Sequence, residues 1–276
     1  MEEQIKLITD WVNHLLAPFA LQLLHTLGIQ PADYDRPIPQ YVVMSVLVLL
    51  FGTILALILR SRLSVERPGA FQQASELLIT NSMGFGIRDL IEENVDHEAE
   101  RYVPFIGAIA IFILLGNLLG LFPGFAPPTG VAYVPLACAC LVFLYFNWQG
   151  IRHHGPGHYL LTFAGSPRQF GDWLLAILLF PVELISTAAR LLSLTVRLWA
   201  NIFASDLIYV IFLGLLLGPF EWAWSKSPVL GIILGIFPLF IPVLFIGLHI
   251  FVSVIQAYIF TVLPAIYVGL AVADEH

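Results

Sequence analysis

The chain has 276 residues, of which 59% are hydrophobic and 11% are charged, and its formal net charge at pH 7 is -7. Soluble domains carry about 25% charged residues, so this composition is typical of a polytopic membrane protein rather than a soluble one. The negative net charge provides no basic surface for phosphate groups, and we therefore expect no nucleic-acid partner.

The first transmembrane helix is predicted at residues 39–60, which are predominantly apolar and just long enough to cross about 30 Å of hydrocarbon. The segment before it, residues 1–38, shows helical apolar spacing and then a polar stretch, and we expect an interfacial helix there. Arg60, Arg62 and Arg67 follow the first span. Because cytoplasmic loops are enriched in Lys and Arg, this end is assigned to the cytoplasm and the N-terminus to the outside.

The middle of the chain divides into three further segments. Residues 61–101 are too polar to span and are predicted to form a cytoplasmic amphipathic helix and a charged connector. Residues 102–151 contain no Asp, Glu, Lys or Arg, and a turn rich in Pro and Gly divides them into a transmembrane helix pair. Residues 152–172 are assigned to a cytoplasmic loop, because Arg152 and several histidines follow the second helix.

The last segment, residues 173–276, contains two apolar stretches that are each too long for one ordinary span. The first stretch is either two spans with charges between them or one long, strongly tilted helix. Two over-long helices joined by a short polar turn favour a tilted antiparallel hairpin. The predicted fold is therefore an all-α polytopic membrane protein with about five membrane-embedded helices and an amphipathic surface helix.

A stripe of charges runs along the first helix of this hairpin. Glu183, Arg190 and Arg197 recur at intervals of seven, which leaves a drift of only about 20° per interval on a helix. Asn201 joins the stripe, whereas Asp206 points to the opposite side of a straight helix. A charge such as Arg197 costs about 2.5–3.5 kcal/mol on membrane-insertion scales. No acidic residue lies on its stripe within one turn, so we expect its carboxylate partner elsewhere.

The second helix of the hairpin carries His249 and Gln256 on one face. In an antiparallel hairpin, facing residues have a constant sum of residue numbers. The sums for the pairs Arg197–Gln256 and Asp206–His249 are almost equal, so one register of the hairpin can bring both pairs face to face. We therefore expect polar residues to face each other at two heights along the hairpin.

Purely structural roles are the alternative for these polar residues. Glu183 with Arg190 would then be an ion pair that only fixes helix packing. Asn201 and Gln256 would be interhelical hydrogen bonds, worth about 0.6 kcal/mol each. His249 would be a core histidine whose hydrogen bonds are satisfied.

Three motifs carry a family resemblance. They are Ser193–Asn201 (SLTVRLWAN), Asn117–Pro123 (NLLGLFP) with Pro127 and Thr129, and Ile255–Leu263 (IQAYIFTVL). Together with the ending Glu275–His276, and in this order along the chain, they resemble subunit a of the bacterial F-type ATP synthase. The sequence departs from the family pattern at Trp199 and Ala200, at Ser205 and Asp206, and at Pro264. Because Asp206 is short, we expect water rather than a direct contact to join it to His249.

The resemblance implies a stator beside a rotating ring of c subunits, with b-type peripheral stalk subunits and lipid as further partners. It implies that Arg197 faces the ring and separates two aqueous half-channels. The remaining residues of the implied proton path are Asp206, His249, Asn201 and Gln256 on the outer side, and Glu183 with Arg190 on the cytoplasmic side. It implies a bacterial plasma membrane location with the C-terminus in the cytoplasm, and no enzymatic site, cofactor or metal on this chain.

Two other classes are considered. A secondary ion transporter would use the same charges as a substrate or ion site, but such folds show paired repeats with broken helices, and none is visible here. A membrane-embedded metalloenzyme would use His153, His154 and His158. Gly155-Pro156-Gly157 interrupts the helix that would place the last two on one face, and we expect no metal site.

Overall fold

The computed structural model describes residues 2–26, 28, 30–31, 33–64, 68–80, 86–95, 98–122, 125–165 and 170–273. Side chains are described for all of these except residues 2–6, 170–172, 209, 213, 216 and 228–242. Three features singled out in the sequence lie outside the described residues, namely Arg67, Pro123-Gly124 and Glu275–His276.

Within the described residues the chain forms nine α-helices and no β-strand. The helices are α1 (Glu2–Thr26), α2 (Gln40–Ser61), α3 (Ala70–Ile79), α4 (Ile87–Asn94), α5 (Val103–Leu119), α6 (Tyr133–His154), α7 (Pro156–Thr162), α8 (Phe170–Lys226) and α9 (Pro228–Val272). Helix α1 ends at Thr26, and Gly28 just beyond it takes a φ of +70° that glycine adopts without strain.

Five of the described helices are strongly apolar. Four are long enough to cross a membrane, namely α2, α6, the Trp173–Lys226 part of α8 and the Val243–Val272 part of α9. The fifth, α5, is shorter and equally apolar. A transmembrane helix must satisfy its backbone hydrogen bonds internally, and these segments do so. The prediction of an all-α, multi-pass membrane protein is therefore confirmed.

Three details of the architecture were open or incomplete in the sequence. The first stretch of the hairpin is one helix, α8, rather than two spans. The amphipathic surface segment contains two helices, α3 and α4, because the chain is extended at Thr80 and Gly86. The loop after α6 contains the short helix α7, which begins at Pro156 after Gly155, whose φ is +81°.

The described chain packs as two compact units. The first comprises the described parts of Met1–Leu50, Leu114–Val131 and Leu198–Gln256. In this unit α8 and α9 contact each other through Phe212 and Phe245, whose ring centroids are 5.5 Å apart.

The second unit comprises the described parts of Phe51–Ile113, Ala132–Arg197 and Ala257–His276. Tyr145 of α6 stacks on Phe105 of α5 at 3.7 Å between ring centroids. Helix α4 buries Ile87, Leu90 and Ile91. Its last residue, Asn94, places its carbonyl oxygen so close to Gly269 of α9 that no side chain fits there.

Candidate functional site

Glu183 and Arg190 form an ion pair on α8 in the second unit. An Arg190 guanidinium nitrogen, Nη2, donates to Glu183 Oε1 at 3.2 Å. The guanidinium carbon also lies 5.4 Å from the centroid of the Tyr267 ring of α9, a distance typical of a cation–π contact. The prediction that the two residues share one helix face is confirmed.

The ion pair lines a cavity of about 230 Å³ within the second unit. Other polar residues around the cavity are Tyr159, Thr162, Thr187 and Tyr267. Thr187 is buried, and its hydroxyl donates to the Glu183 carbonyl at 2.8 Å, so it does not compete for the carboxylate. The cavity is large enough to hold several water molecules.

Tyr159 of α7 also lines this cavity, and nothing in the sequence indicated this position. Its hydroxyl donates to Asn147 Oδ1 at 3.1 Å, and its ring fills the space that Gly150 leaves open by lacking a Cβ. Burial raises the pKa of the Tyr159 phenol, an effect that the Arg190 charge partly offsets. Tyr159 is therefore a neutral hydrogen-bond donor at neutral pH.

Arg197 has a different environment from Arg190. Among the described residues, its side chain makes one hydrogen bond, a long one of 3.5 Å from Nη2 to Ser193 Oγ. No carboxylate of the described chain lies within 4.0 Å of its guanidinium. The neighbouring Leu192 and Val196 are 57% and 53% exposed, so the surface beside Arg197 is apolar and uncovered in the isolated chain.

A second cavity, of about 290 Å³, lies within the first unit between α8 and α9. Its polar residues are Asn201 and Ser205 from α8 and Gln256 from α9. Gln256 is 1% exposed, and its Oε1 has no hydrogen-bond partner among the described residues. A buried amide oxygen without a partner costs about 1–3 kcal/mol.

Asp206 and His249 belong to the same unit but do not line this cavity. Asp206 is exposed, and no direct hydrogen bond or ion pair to another described residue is present. This arrangement agrees with the expectation that the two side chains do not touch directly.

His249 instead contacts the end of α5. Its Nε2 lies 3.1 Å from the backbone oxygen of Asn117, a residue 132 positions earlier in the chain. The Asn117 side chain is fully buried, and its Oδ1 accepts a hydrogen bond of 2.5 Å from the equally buried Thr129 hydroxyl. Sequence reasoning missed this contact. The available signal was the NLLGLFP motif with Thr129, which carries polar residues in an apolar stretch.

His153 and His154 lie in the last turn of α6, and His158 lies in α7. His154 and His158 have ring centroids 5.7 Å apart although the helix is interrupted at Gly155, as the sequence predicted. Within the described residues no group of three or more His, Cys, Asp or Glu is placed to hold a metal ion.

The fold and these side chains define a class: a multi-pass membrane protein with charged side chains and buried polar side chains on two long, adjacent helices. Residues 41–269 match the protein family described as ATP synthase A chain. The chain therefore belongs to the ATP synthase A chain family.

Two of the similar relatives match nearly the whole chain, and a third matches about three quarters of it. It is 42% identical over 264 residues to ATP synthase subunit a of Solibacter usitatus (strain Ellin6076), covering 96% of this chain and 99% of that protein. It is 35% identical over 268 residues to ATP synthase subunit a of Koribacter versatilis (strain Ellin345), covering 97% of each. The subunit a of Desulfosudis oleivorans is 36% identical over 209 residues, covering 76% of this chain and 78% of that one.

Proposed function

We propose that this chain is the proton-translocating stator subunit of the membrane sector of an F-type ATP synthase. Family membership over residues 41–269 supports the assignment. The observation that carries the mechanism is Arg197, a cation in an apolar helix without an acidic partner in the described chain. We assign Asp206, His249, Asn201, Gln256, Glu183 and Arg190 to the proton path.

The missing partner of Arg197 is a carboxylate on the c-subunit ring. A ring carboxylate cannot enter lipid in its ionised form, so it is protonated while it faces lipid. Arg197 offers an opposite charge only at the contact with the ring, where it favours the ionised carboxylate. The apolar surface at Leu192 and Val196 is suited to an apolar helix of that ring.

Two aqueous half-channels supply and remove the proton. The cavity with Asn201 and Gln256 belongs to the half-channel on the outer side. The cavity with Glu183 and Arg190 belongs to the cytoplasmic half-channel. Because neither half-channel crosses the membrane, a proton must travel on the ring between them. Arg197 also prevents a proton from passing directly from one half-channel to the other.

The energy for rotation comes from the membrane potential. One elementary charge that moves through 100 mV releases about 2.3 kcal/mol. Each proton that enters and leaves through the half-channels therefore drives one step of the ring. Nucleotide chemistry belongs to other subunits, and this chain is not itself an enzyme.

The orientation follows from basic residues at helix ends. Arg60 lies in the last turn of α2, and Arg152 lies in the last turn of α6. The positive-inside rule assigns both ends to the cytoplasm of a bacterial cell, with the N-terminus outside and the C-terminus inside. The segments 1–38, 61–101 and 152–172 then lie outside the bilayer core. The partners are the c-ring, b-type peripheral stalk subunits and lipid.

Replacing the essential cation tests this function. In membrane vesicles that contain the whole complex, Arg197→Ala is expected to abolish ATP-driven proton pumping while ATP hydrolysis continues. The matched control is Arg62→Ala, which removes an exposed arginine just after α2 and is expected to leave pumping intact. Coupled pumping by the Arg197→Ala complex would refute the proposal.

A further inference from the structure

The contact between His249 and Asn117 fixes which ring nitrogen of His249 carries a proton. A backbone carbonyl oxygen only accepts hydrogen bonds, so the Nε2 atom that lies 3.1 Å from the Asn117 oxygen is the N–H donor. A neutral imidazole has a single N–H, and therefore Nδ1 carries the free lone pair.

We infer that His249 takes up and releases the transported proton at Nδ1 alone, while Nε2–H remains bound to the Asn117 carbonyl. The proton arrives on a water molecule, binds the Nδ1 lone pair and forms the imidazolium. It leaves from the same atom to a second water or to the Asp206 carboxylate, which restores the neutral ring. The Nε2–H bond is not broken at any step, so the ring does not relay a proton from one nitrogen to the other.

The end of α5 explains why the Asn117 carbonyl is available. The last four carbonyl groups of a helix have no partner at i+4, and Asn117 lies in the last turn of α5. From the backbone of the described residues, its oxygen accepts a turn hydrogen bond from the Gly120 N–H, at 3.2 Å. A carbonyl oxygen has two lone pairs, so the second is free for His249.

The loop after α5 holds this carbonyl in place. Thr129 donates to Asn117 Oδ1, and both side chains are fully buried. Gly120 packs against Pro127 so closely that an added Cβ would lie 3.0 Å from Pro127 Cδ. We call these four residues the cradle: Asn117, Gly120, Pro127 and Thr129. The cradle holds the carbonyl group that positions His249, although it is distant from His249 in the sequence. Thr129 acts as a positioning residue, because it bonds to Asn117 and not to His249, where the proton binds.

The inference rests on the proposed function for the transport step, whereas the tautomer can be measured independently of transport. The whole complex is labelled with ¹⁵N-histidine, embedded in lipid and studied by solid-state NMR at alkaline pH. The His249 signals are identified by their loss in His249→Gln. We expect the proton on Nε2 and none on Nδ1. A neutral His249 protonated at Nδ1, or an equal mixture of both tautomers, would overturn the inference.

A matched pair of isosteric variants tests the cradle. Thr129→Val removes the hydroxyl that donates to Asn117, whereas Thr261→Val removes an equally buried hydroxyl that bonds only within α9. Thr129→Val is expected to raise the Nδ1–H population and to slow proton-driven ATP synthesis about fivefold, the factor of one typical hydrogen bond. Thr261→Val is expected to change neither. Equal spectra for both variants would contradict the positioning role.

Transport by His249→Gln separates the inference from the proposed function. If this variant synthesises ATP at the wild-type rate while Arg197→Ala is inactive, the stator function stands. The claim that the proton passes through His249 is then wrong, even if the wild-type tautomer is Nε2–H.

Discussion

Arg190 and Glu183 are seven residues apart on one helix, and their side chains nevertheless meet at 3.2 Å. Seven residues advance a helix by about 10.5 Å, so both side chains must extend along the helix axis toward each other. Arg190 extends over the Tyr267 ring, which lies 5.4 Å from its guanidinium carbon. The ring therefore directs the arginine toward the carboxylate and toward the second-unit cavity.

We expect a double-mutant cycle to detect this pair. Glu183→Gln and Arg190→Met should each slow proton-driven ATP synthesis. Because the side chains remain 42% and 28% exposed, the coupling in the free energy of unfolding should not exceed about 1 kcal/mol. The control is Arg88 with Glu92, an exposed pair at 2.6 Å outside the apolar helices. Removal of this control pair should leave transport unchanged. If the losses in the free energy of unfolding from Glu183→Gln and Arg190→Met are strictly additive, the two side chains do not interact.

Gln256→Leu should separate transport from stability. Gln256 Oε1 has no partner among the described residues, so an apolar side chain of similar size relieves a buried polar group that costs about 1–3 kcal/mol. We expect an unchanged or higher unfolding temperature of the purified complex and slower proton-driven ATP synthesis. Gln149→Leu changes another buried glutamine, which lines neither cavity, and should not affect transport. A large fall in the unfolding temperature of Gln256→Leu would show that its amide is already satisfied.

Gly269→Ala should destabilise the packing of α4 against α9. The new methyl group would overlap the Asn94 backbone oxygen, which cannot move without displacing the end of α4. Overpacking of this kind costs about 1–3 kcal/mol, measured as a lower unfolding temperature and less assembled complex. Gly247→Ala introduces a methyl group on the same helix with nothing within 4 Å and is the control. Equal unfolding temperatures for the two variants would contradict the close approach.

Gly150→Ala should act through Tyr159. The added Cβ would lie 2.7 Å from Tyr159 Cζ, so the ring must leave its position and lose its hydrogen bond to Asn147. We expect a loss of about 1–3 kcal/mol in the free energy of unfolding. Gly157→Ala has open space around the new methyl group and should be nearly neutral.

The smaller Tyr159→Leu variant provides a second test of the same contact. In the Gly150→Ala background, Tyr159→Leu should cost much less than it does alone, because the clash has already displaced the ring. Additive losses would show that Gly150 and Tyr159 do not compete for the same space.

The apolar helices and one pair from the stripe of charges could be predicted from the sequence. Length and hydrophobicity largely decide whether a segment can span a bilayer, because the hydrocarbon core has a fixed thickness and offers backbone groups no hydrogen-bond partner outside the helix. Helical periodicity likewise predicted the shared face of Glu183 and Arg190, since both belong to one regular element. That Arg197 and Gln256 face each other at the same height in the hairpin stays a prediction.

Only the tertiary structure decided the contacts between distant elements. His249 meets the Asn117 carbonyl 132 residues away, and this oxygen is free only because α5 ends and the loop folds back onto it. Tyr159 lies on the short helix α7, and the apolar pattern of that helix does not indicate that the ring packs against Gly150. Local sequence determined which segments are helices and which polar residues they carry. The packing of helix ends and loops decided which of those residues meet. Such contacts depend on how several elements fit together in space, and the sequence of one helix does not contain that information.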